Sequence, residues 1–369
     1  MRKTIVPFLL LFAVIALGAA QQTKPAEALD GVDPVLLIQG KEISGKKEFT
    51  SVRNGFEYLF ASADTKAIFE KNPARYEIQM NGLCARMGKA TGANPSDYLV
   101  YDGKIYVFGS DECHRRFQEN PKKYLATPAA PLETSAQAQR AGRDLIARVV
   151  ATAGGAKQID GVTTYVETAT LVQQRNGADV PLTTKTMWRF PGDVRMERTV
   201  TLSDRVMSSA VLVTPAGIWF LGQDAAYPGV EAGRPSMQLD YGRQIVPLLH
   251  SRVQPGFKAA AIGRRTVRDL KLDLVRVVNG AVDVTLGVEP SSGQVRTIAF
   301  ADRNSEGEVG EYVIVYSDYR AVAGLTLPFS EQAFFGDTPD RNLSRRIERI
   351  DVNAPLAASL FQPRSAGNK

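Results

Sequence analysis

From residue 162 to residue 353 the chain is written in short runs of alternating character. Val282, Val284, Leu286 and Val288 alternate with Asp283, Thr285, Gly287 and Glu289. A period of two puts one face of a strand in a core and the other in water. Turn signals separate such runs at Asn176-Gly177, Pro191-Gly192-Asp193, Asn279-Gly280, Ser292-Gly293 and Glu306-Gly307. Asn-Gly between alternating runs is the strongest short hairpin signal, so the pattern predicts an antiparallel sheet. Two runs break the alternation: Val211-Leu212-Val213 and Tyr312-Val313-Ile314-Val315-Tyr316 are apolar toward both faces. A sheet needs that where one side meets helices and the other meets a further layer or a ligand.

Helical spacing flanks and interrupts this texture. Leu145, Ile146, Val149 and Val150 predict a helix over Ala136 to Thr152, with Thr134 or Ser135 as its cap and Gly154-Gly155 as its stop. Leu239, Ile245, Val246, Leu248 and Leu249 line a second helix within Gln238 to His250, which Pro247 is expected to kink or end early. A short last helix is expected over Leu356 to Phe361. The Ala/Pro-rich run from Ala126 to Pro131 reads as a semi-extended linker, residues 126–135, ahead of a domain over 136–369.

The N-terminal third carries a different pattern, and it occurs twice. Asn54 to Tyr76 and Asp102 to Tyr124 align at one constant offset, matching Gly55 with Gly103, Tyr58 with Tyr106 and Phe60 with Phe108. Ser62, Phe69, Asn72, Pro73 and Tyr76 likewise match Ser110, Phe117, Asn120, Pro121 and Tyr124. Each copy predicts a turn, a short aromatic strand, a serine N-cap and a short helix ended by Asn-Pro. A unit this small cannot bury its own apolar face, so the copies are expected to pack together around one shared aromatic core.

On these residues the segment 29–125 resembles the YHS domain. The resemblance rests on Gly31-Val32-Asp33-Pro34, the paired helices around Phe69 and Phe117, and Asn81-Gly82-Leu83-Cys84-Ala85. It implies a small module of metal-sensing or metal-handling kind. The segment from about 136 to 365 is similar to the LolA/LppX-like lipoprotein carriers. The carrying residues are Trp188 to Arg195, Ile218-Trp219-Phe220, Tyr319 to Pro328 and the closing Asn353-Ala354-Pro355 with Leu360-Phe361. Where the carriers have an Arg-Pro pair, Phe190 here separates Arg189 from Pro191. The resemblance implies a curved half-barrel covered by helices, with acyl chains in the hollow. The expected class is therefore α+β: a small strand-helix repeat domain followed by a large curved antiparallel half-barrel under helices. The expected lining of the hollow is Trp188, Phe190, Trp219, Phe220, Leu286, Ile314, Tyr316, Phe329 and Phe334, with a filled core as the equal alternative.

Composition and charge narrow the function classes. Arg2 and Lys3, the apolar run from Ile5 to Leu17 and Gly18-Ala19-Ala20 form a secretory leader over residues 1–20. Export to the periplasm or an equivalent compartment, with no membrane span after cleavage, is expected. The net charge of +6 falls to +4 once Arg2 and Lys3 are lost, and basic residues are interleaved with acids. Nucleic acid is not an expected partner, because no basic patch with stacking aromatics is present. Arg345-Arg346 reads as a solvated strand face.

Chemistry-bearing residues are few. The chain has two histidines, His114 and His250, and no metalloprotease, nucleophile-elbow, phosphate-loop or dinucleotide motif. An enzyme is not expected. The two cysteines, Cys84 and Cys113, both fall in the repeat domain. Met80, Cys84 and Met87 form one cluster and Cys113-His114 a second, a thiol, thioether and imidazole set that suits a soft ion such as copper or zinc. A disulfide, a metal or redox-sensitive site, and two free buried thiols all remain open. Three roles follow: an exported binding protein for an apolar or lipid-like ligand, a metal-binding envelope protein acting through the repeat domain, and a structural protein that docks on an envelope partner.

Overall fold

The computed structural model describes residues 25–88, 93–175, 178–202, 205–222 and 225–363. The leader-like segment and the Asn176-Gly177 turn lie outside them. The N-terminal unit runs through β1 (Ala26–Glu27), α1 (Pro34–Ile38), β2 (Lys46–Arg53), β3 (Phe56–Phe60), α2 (Ala63–Lys71) and α3 (Pro73–Tyr76). It continues with β4 (Asn94–Tyr101), β5 (Lys104–Phe108) and α4 (Asp111–Glu119).

The two copies fold alike in detail. Asn54 and Asp102 turn the chain at φ 51° and 50°, with Gly55 and Gly103 following at φ 83° and 65°. Ser62 accepts the Thr65 amide and Ser110 accepts the Cys113 amide, so each helix begins on the same cap. Phe69 packs 5.0 and 5.1 Å from the Tyr58 and Phe60 rings, and Phe117 packs 5.3 and 5.2 Å from Tyr106 and Phe108. The aromatics do not share one core, however. Ile105 and Val107 join the first copy's core, whereas Tyr106 and Phe108 join a second one. Successive side chains of a strand point to opposite faces, so β5 serves both cores at once and keeps them apart.

The rest of the chain builds one curved antiparallel sheet of 13 strands. After α5 (Ala136–Thr152) and α6 (Ala156–Asp160) come β6 (Thr164–Arg175), β7 (Ala178–Arg189), β8 (Asp193–Leu202), β9 (Arg205–Thr214), β10 (Gly217–Leu221) and β11 (Ala226–Pro228). Then α7 (Arg234–Gly242) and α8 (Ile245–His250) lead into β12 (Lys258–Val267), β13 (Leu270–Asn279), β14 (Val282–Val288) and β15 (Val295–Arg303). The domain closes with β16 (Val309–Val322), β17 (Leu325–Phe335) and β18 (Thr338–Val352). The spatial order is β11-β10-β9-β8-β7-β6-β18-β17-β16-β15-β14-β13-β12. Two meanders therefore meet on β18, the middle strand. Because β11 and β12 are opposite edges, the chain joining them must cross a whole face of the sheet, and α7 and α8 lie on that path.

The α5 helix spans its predicted residues, with Ser135 bonded to the Ala138 amide and Gly154 and Gly155 at positive φ just beyond it. The expected single helix over Gln238 to His250 is two. The break falls at Arg243-Gln244, and Pro247 sits in the first turn of α8. Amides of a first turn have no acceptor within the helix, so a proline there removes no bond. The expected last helix is a 3-10 turn, Ala358–Phe361.

Candidate functional site

The concave face of the sheet divides at its centre. Over β13–β16 it is filled: Ile146, Val149 and Val150 of α5 and Val246, Leu248 and Leu249 of α8 pack on Val275, Val277, Val284, Leu286, Ile298 and Ile314, while a hollow of about 880 Å³ remains between α5 and the edge strand β12. Over β7–β10 Pro247 and His250 of α8 approach the end of β7, and the remaining cover is α7, none of whose residues is buried although Leu239 and Tyr241 pack on the filled core. Two hollows lie beneath α7. One of about 630 Å³ is walled by Met196, Val211, Phe220, Tyr227, Met237 and Tyr241, among others. The other, of about 300 Å³, adjoins Trp188, Phe190, Gln238, His250, Gln254 and Asn279. Met237 and Tyr241 border both hollows; the larger is lined mainly by apolar side chains, with Arg198 and Asp240 among them, and the smaller carries more polar ones.

Of the residues expected to line a hollow, Trp188 and Phe190 border the smaller space and Phe220 the larger. Leu286, Ile314, Tyr316 and Phe329 are at most 5% exposed and belong to the filled core. Trp219 turns to the convex face, where it packs with Phe361 and Leu356. Phe334 lies under the Arg268 guanidinium, 3.8 Å from its carbon. The both-faced run Val211-Leu212-Val213 has a direct cause. Val211 and Val213 face the hollows, while Leu212 meets the closing segment around Phe361 on the far side.

A polar seam marks the division. Arg345 of β18 donates to Glu331 of β17 at 2.8 and 2.7 Å, to Glu167 of β6 at 2.9 Å and to Gln244 between α7 and α8 at 3.0 Å. Tyr165 adds a bond to Glu167 at 3.3 Å. Burial pushes the Glu167 carboxyl up, and the Arg345 charge pulls it back. The solvated-face reading of Arg345-Arg346 holds for one residue of the pair: the Arg345 side chain is 12% exposed and that of Arg346 71%. Alternation sends neighbours to opposite faces, and only the face, not the charge, decides burial.

The second cluster is in the repeat domain. Cys84, fully buried, and Cys113, 7% exposed, share one core with Tyr106, Phe108 and Phe117, and Met80 and Met87 pack against it. Both thiols are free. His114 is engaged elsewhere, its Nδ1 2.5 Å from Asp97 and its ring stacked on Phe108 at 4.5 Å. Two guanidinium groups approach the sulfurs instead. Arg86 Nη1 donates to Cys113 Sγ at 3.9 Å and Arg303 Nη2 lies 4.0 Å from Met80 Sδ. No group of three or more His, Cys, Asp or Glu among the described residues is placed to hold a metal ion. With the imidazole withdrawn and two fixed cations beside the sulfurs, the donors present do not fit a soft-metal site.

Sequence reasoning passed over Arg86 and Arg303, which join the two domains. Arg86 also donates to Glu306 at 3.1 Å, its carbonyl accepts from Arg303 at 2.9 Å, and Lys123 pairs with Glu308 at 2.8 Å. A side chain on Gly88 would collide with Arg303, and one on Gly307 with the Arg86 carbonyl. Arg86 stands two residues beyond Cys84, which was the only hint available. No helix among the described residues is long and apolar enough to cross a membrane.

No protein-family model and no curated protein matches the chain. Solved structures resemble it over its larger part. A Vibrio parahaemolyticus domain named for outer membrane lipoprotein sorting is 6% identical, with a TM-score of 0.38, covering 60% of this chain and 97% of that one. A LolA superfamily protein from Nitrosomonas europaea is 10% identical over 60% of this chain and 97% of its own, with a TM-score of 0.39. A DUF1329 family protein from Desulfovibrio piger is 11% identical over 61% and 97%, with a TM-score of 0.35.

Proposed function

We propose that the protein is an exported, non-enzymatic binding protein that holds an apolar, lipid-like ligand between α7 and the concave face of β8–β10. The carrying observation is the pair of hollows under α7, about 630 and 300 Å³, within the size range of small-molecule sites. The larger is walled mainly by apolar side chains such as Met196, Val211, Phe220 and Met237, with Arg198 and Asp240 also in its lining. The smaller has His250, Gln238 and Asn279 at hand for a polar end. A ligand with an acyl body and a polar head matches that division. Met237, unbranched and adaptable, borders both spaces together with Tyr241. In this reading the half-barrel is the LolA-like carrier module, and the YHS-like unit is joined to it for a separate task.

The test is titration of a fluorescent long-chain fatty acid into the leaderless full chain, with circular dichroism as the check on folding. Saturable binding that weakens at least about tenfold in Val211→Asp, a loss of about 1.4 kcal/mol, is the expected result. A folded protein that binds no acyl probe, or a folded Val211→Asp variant that binds as well as the parent, overturns the proposal.

A further inference from the structure

The sulfur cluster has no part in holding such a ligand, yet it is more elaborate than a packing role requires. In the first copy of the repeat, Thr65 occupies the helix position that Cys113 holds in the second, and it forms the same cap with the preceding serine. The fold therefore does not need sulfur there. Cys84 Sγ is met by the backbone amides of Met87, Gly109 and Arg86; burial pushes its thiol up and those amides pull the other way. Arg86 reaches Cys113 Sγ with one guanidinium nitrogen and Glu306 of the other domain with a second. Arg303, which burial drives down, takes the Arg86 carbonyl and lies beside Met80. Positive charge repels a metal cation from these sulfurs, and it suits sulfur chemistry in which negative charge develops.

We infer that Cys84 and Cys113 are an oxidisable dithiol, which a small hydroperoxide converts to a disulfide, and that Arg86 carries the change to the contact between the domains. Cys113 keeps 7% of its surface and Cys84 none, so Cys113 reacts first. Its sulfur attacks the terminal peroxide oxygen: an S–O bond forms, the O–O bond breaks, and the thiol proton leaves with the other oxygen as alcohol or water. Cys84 then attacks the resulting sulfenic sulfur. The S–S bond forms, the S–O bond breaks, and hydroxide departs with the Cys84 proton as water. Two thiols lose two electrons and two protons, and one peroxide is reduced to an alcohol (or water) and water. Once both sulfurs are joined, the acceptor that Arg86 holds has moved, and its bond to Glu306 shifts with it. Arg86 is a positioning residue for both events.

The experiment treats the leaderless full chain with graded hydrogen peroxide and reads intact mass, free thiols and the rate of proteolysis in the 126–135 linker. Expected are loss of two hydrogen masses, disappearance of both thiols together, reversal by dithiothreitol, and faster linker cleavage in the oxidised form. Cys84→Ser is expected to stop at a sulfenic acid on Cys113 that dimedone traps. Arg86→Gln is expected to slow oxidation about tenfold, and Arg86→Lys to restore part of the rate, as retention of a charge requires. Thiols that react only when the chain is unfolded overturn the inference. So do over-oxidation of Cys113 with Cys84 still free, and a metal ion that co-purifies one to one and shields both thiols. Linker cleavage unchanged in fully disulfide-bonded protein overturns the relay through Arg86. None of these results bears on acyl binding, so the two proposals fail separately.

Discussion

The two halves of the large sheet differ both in what the sheet presents and in what covers it. On the concave face β13–β16 present Val, Leu and Ile at alternate positions, whereas β7–β9 mix Trp188, Met196, Val211 and Val213 with Thr184, Thr186, Arg198 and Ser209. Over β13–β16 the side chains meet α5 and α8, whose own apolar faces fill the space until Ile314 and Val275 are fully buried, and a hollow is left only beside the edge strand β12. Over β7–β10 they meet α7, nine residues long with none buried, with Pro247 and His250 of α8 near β7, and Val211 and Phe220 border a hollow. The halves thus differ in their helical cover and in the side chains the sheet itself offers. The seam at Arg345 lets the contrast persist. It ties β17, β6 and the α7–α8 junction together at the centre, so that neither half need collapse onto the other.

That contrast can be broken most severely at the seam. Arg345→Ala leaves Glu167 and Glu331 buried without their partner and is expected to cost about 3–5 kcal/mol in urea unfolding. Recovery is expected when both glutamates are also changed to glutamine. On the filled side, trimming one methyl group by Ile314→Val is expected to cost about 0.5–1.5 kcal/mol by the same measurement. On the open side, Met237→Ala should stay within about 0.5 kcal/mol of the parent, because it removes contacts from a helix that is not buried. It should nevertheless alter acyl-probe affinity, since Met237 borders both hollows. Equal losses from Ile314→Val and Met237→Ala would erase the distinction between the halves.

The smallest effect expected is one of pH. His250 borders the smaller hollow, stacked on Phe190 at 4.2 Å, and burial holds its pKa below the usual value. The unfolded chain therefore takes up a proton at this site before the folded one does, so stability is lost as pH falls below about 6.5. His250→Phe should flatten that slope near pH 6, read by thermal unfolding across pH. A slope unchanged by the substitution would show that His250 is not its source.

How much of this was legible beforehand depends on the range of the interaction involved. The repeat was readable because its signals are local: turn, cap, aromatic and Asn-Pro recur in order, and β3–α2 and β5–α4 follow them. The α5 helix was readable for the same reason. The fate of the aromatics was not, because nothing within a copy says that β5 will present alternate residues to two cores. The hollow was foreseen as a kind of place, yet Leu286, Ile314 and Tyr316 lie in the half that α5 and α8 happen to fill. Which helix covers which strands depends on crossing from β11 to β12, a property of sheet order. Arg345 and Arg346 make the point within two residues. They are the same letter, and the strand alternation that separates them is legible, but which face would be buried was not.

The central place of β18 has a consequence for the order of events during synthesis. The strand at the middle of the sheet is the last of the sheet's strands to be made, more than 160 residues after its neighbour β6. Until it arrives, β6 and β17 each present a bare edge, the sort of surface that recruits other chains. Glu167 and Glu331 meanwhile wait without Arg345. Completion is thus signalled by a single insertion that closes two edges and neutralises two carboxylates in one movement. A nascent or clipped chain that lacks β18 is two sticky fragments, not a weaker form of the whole.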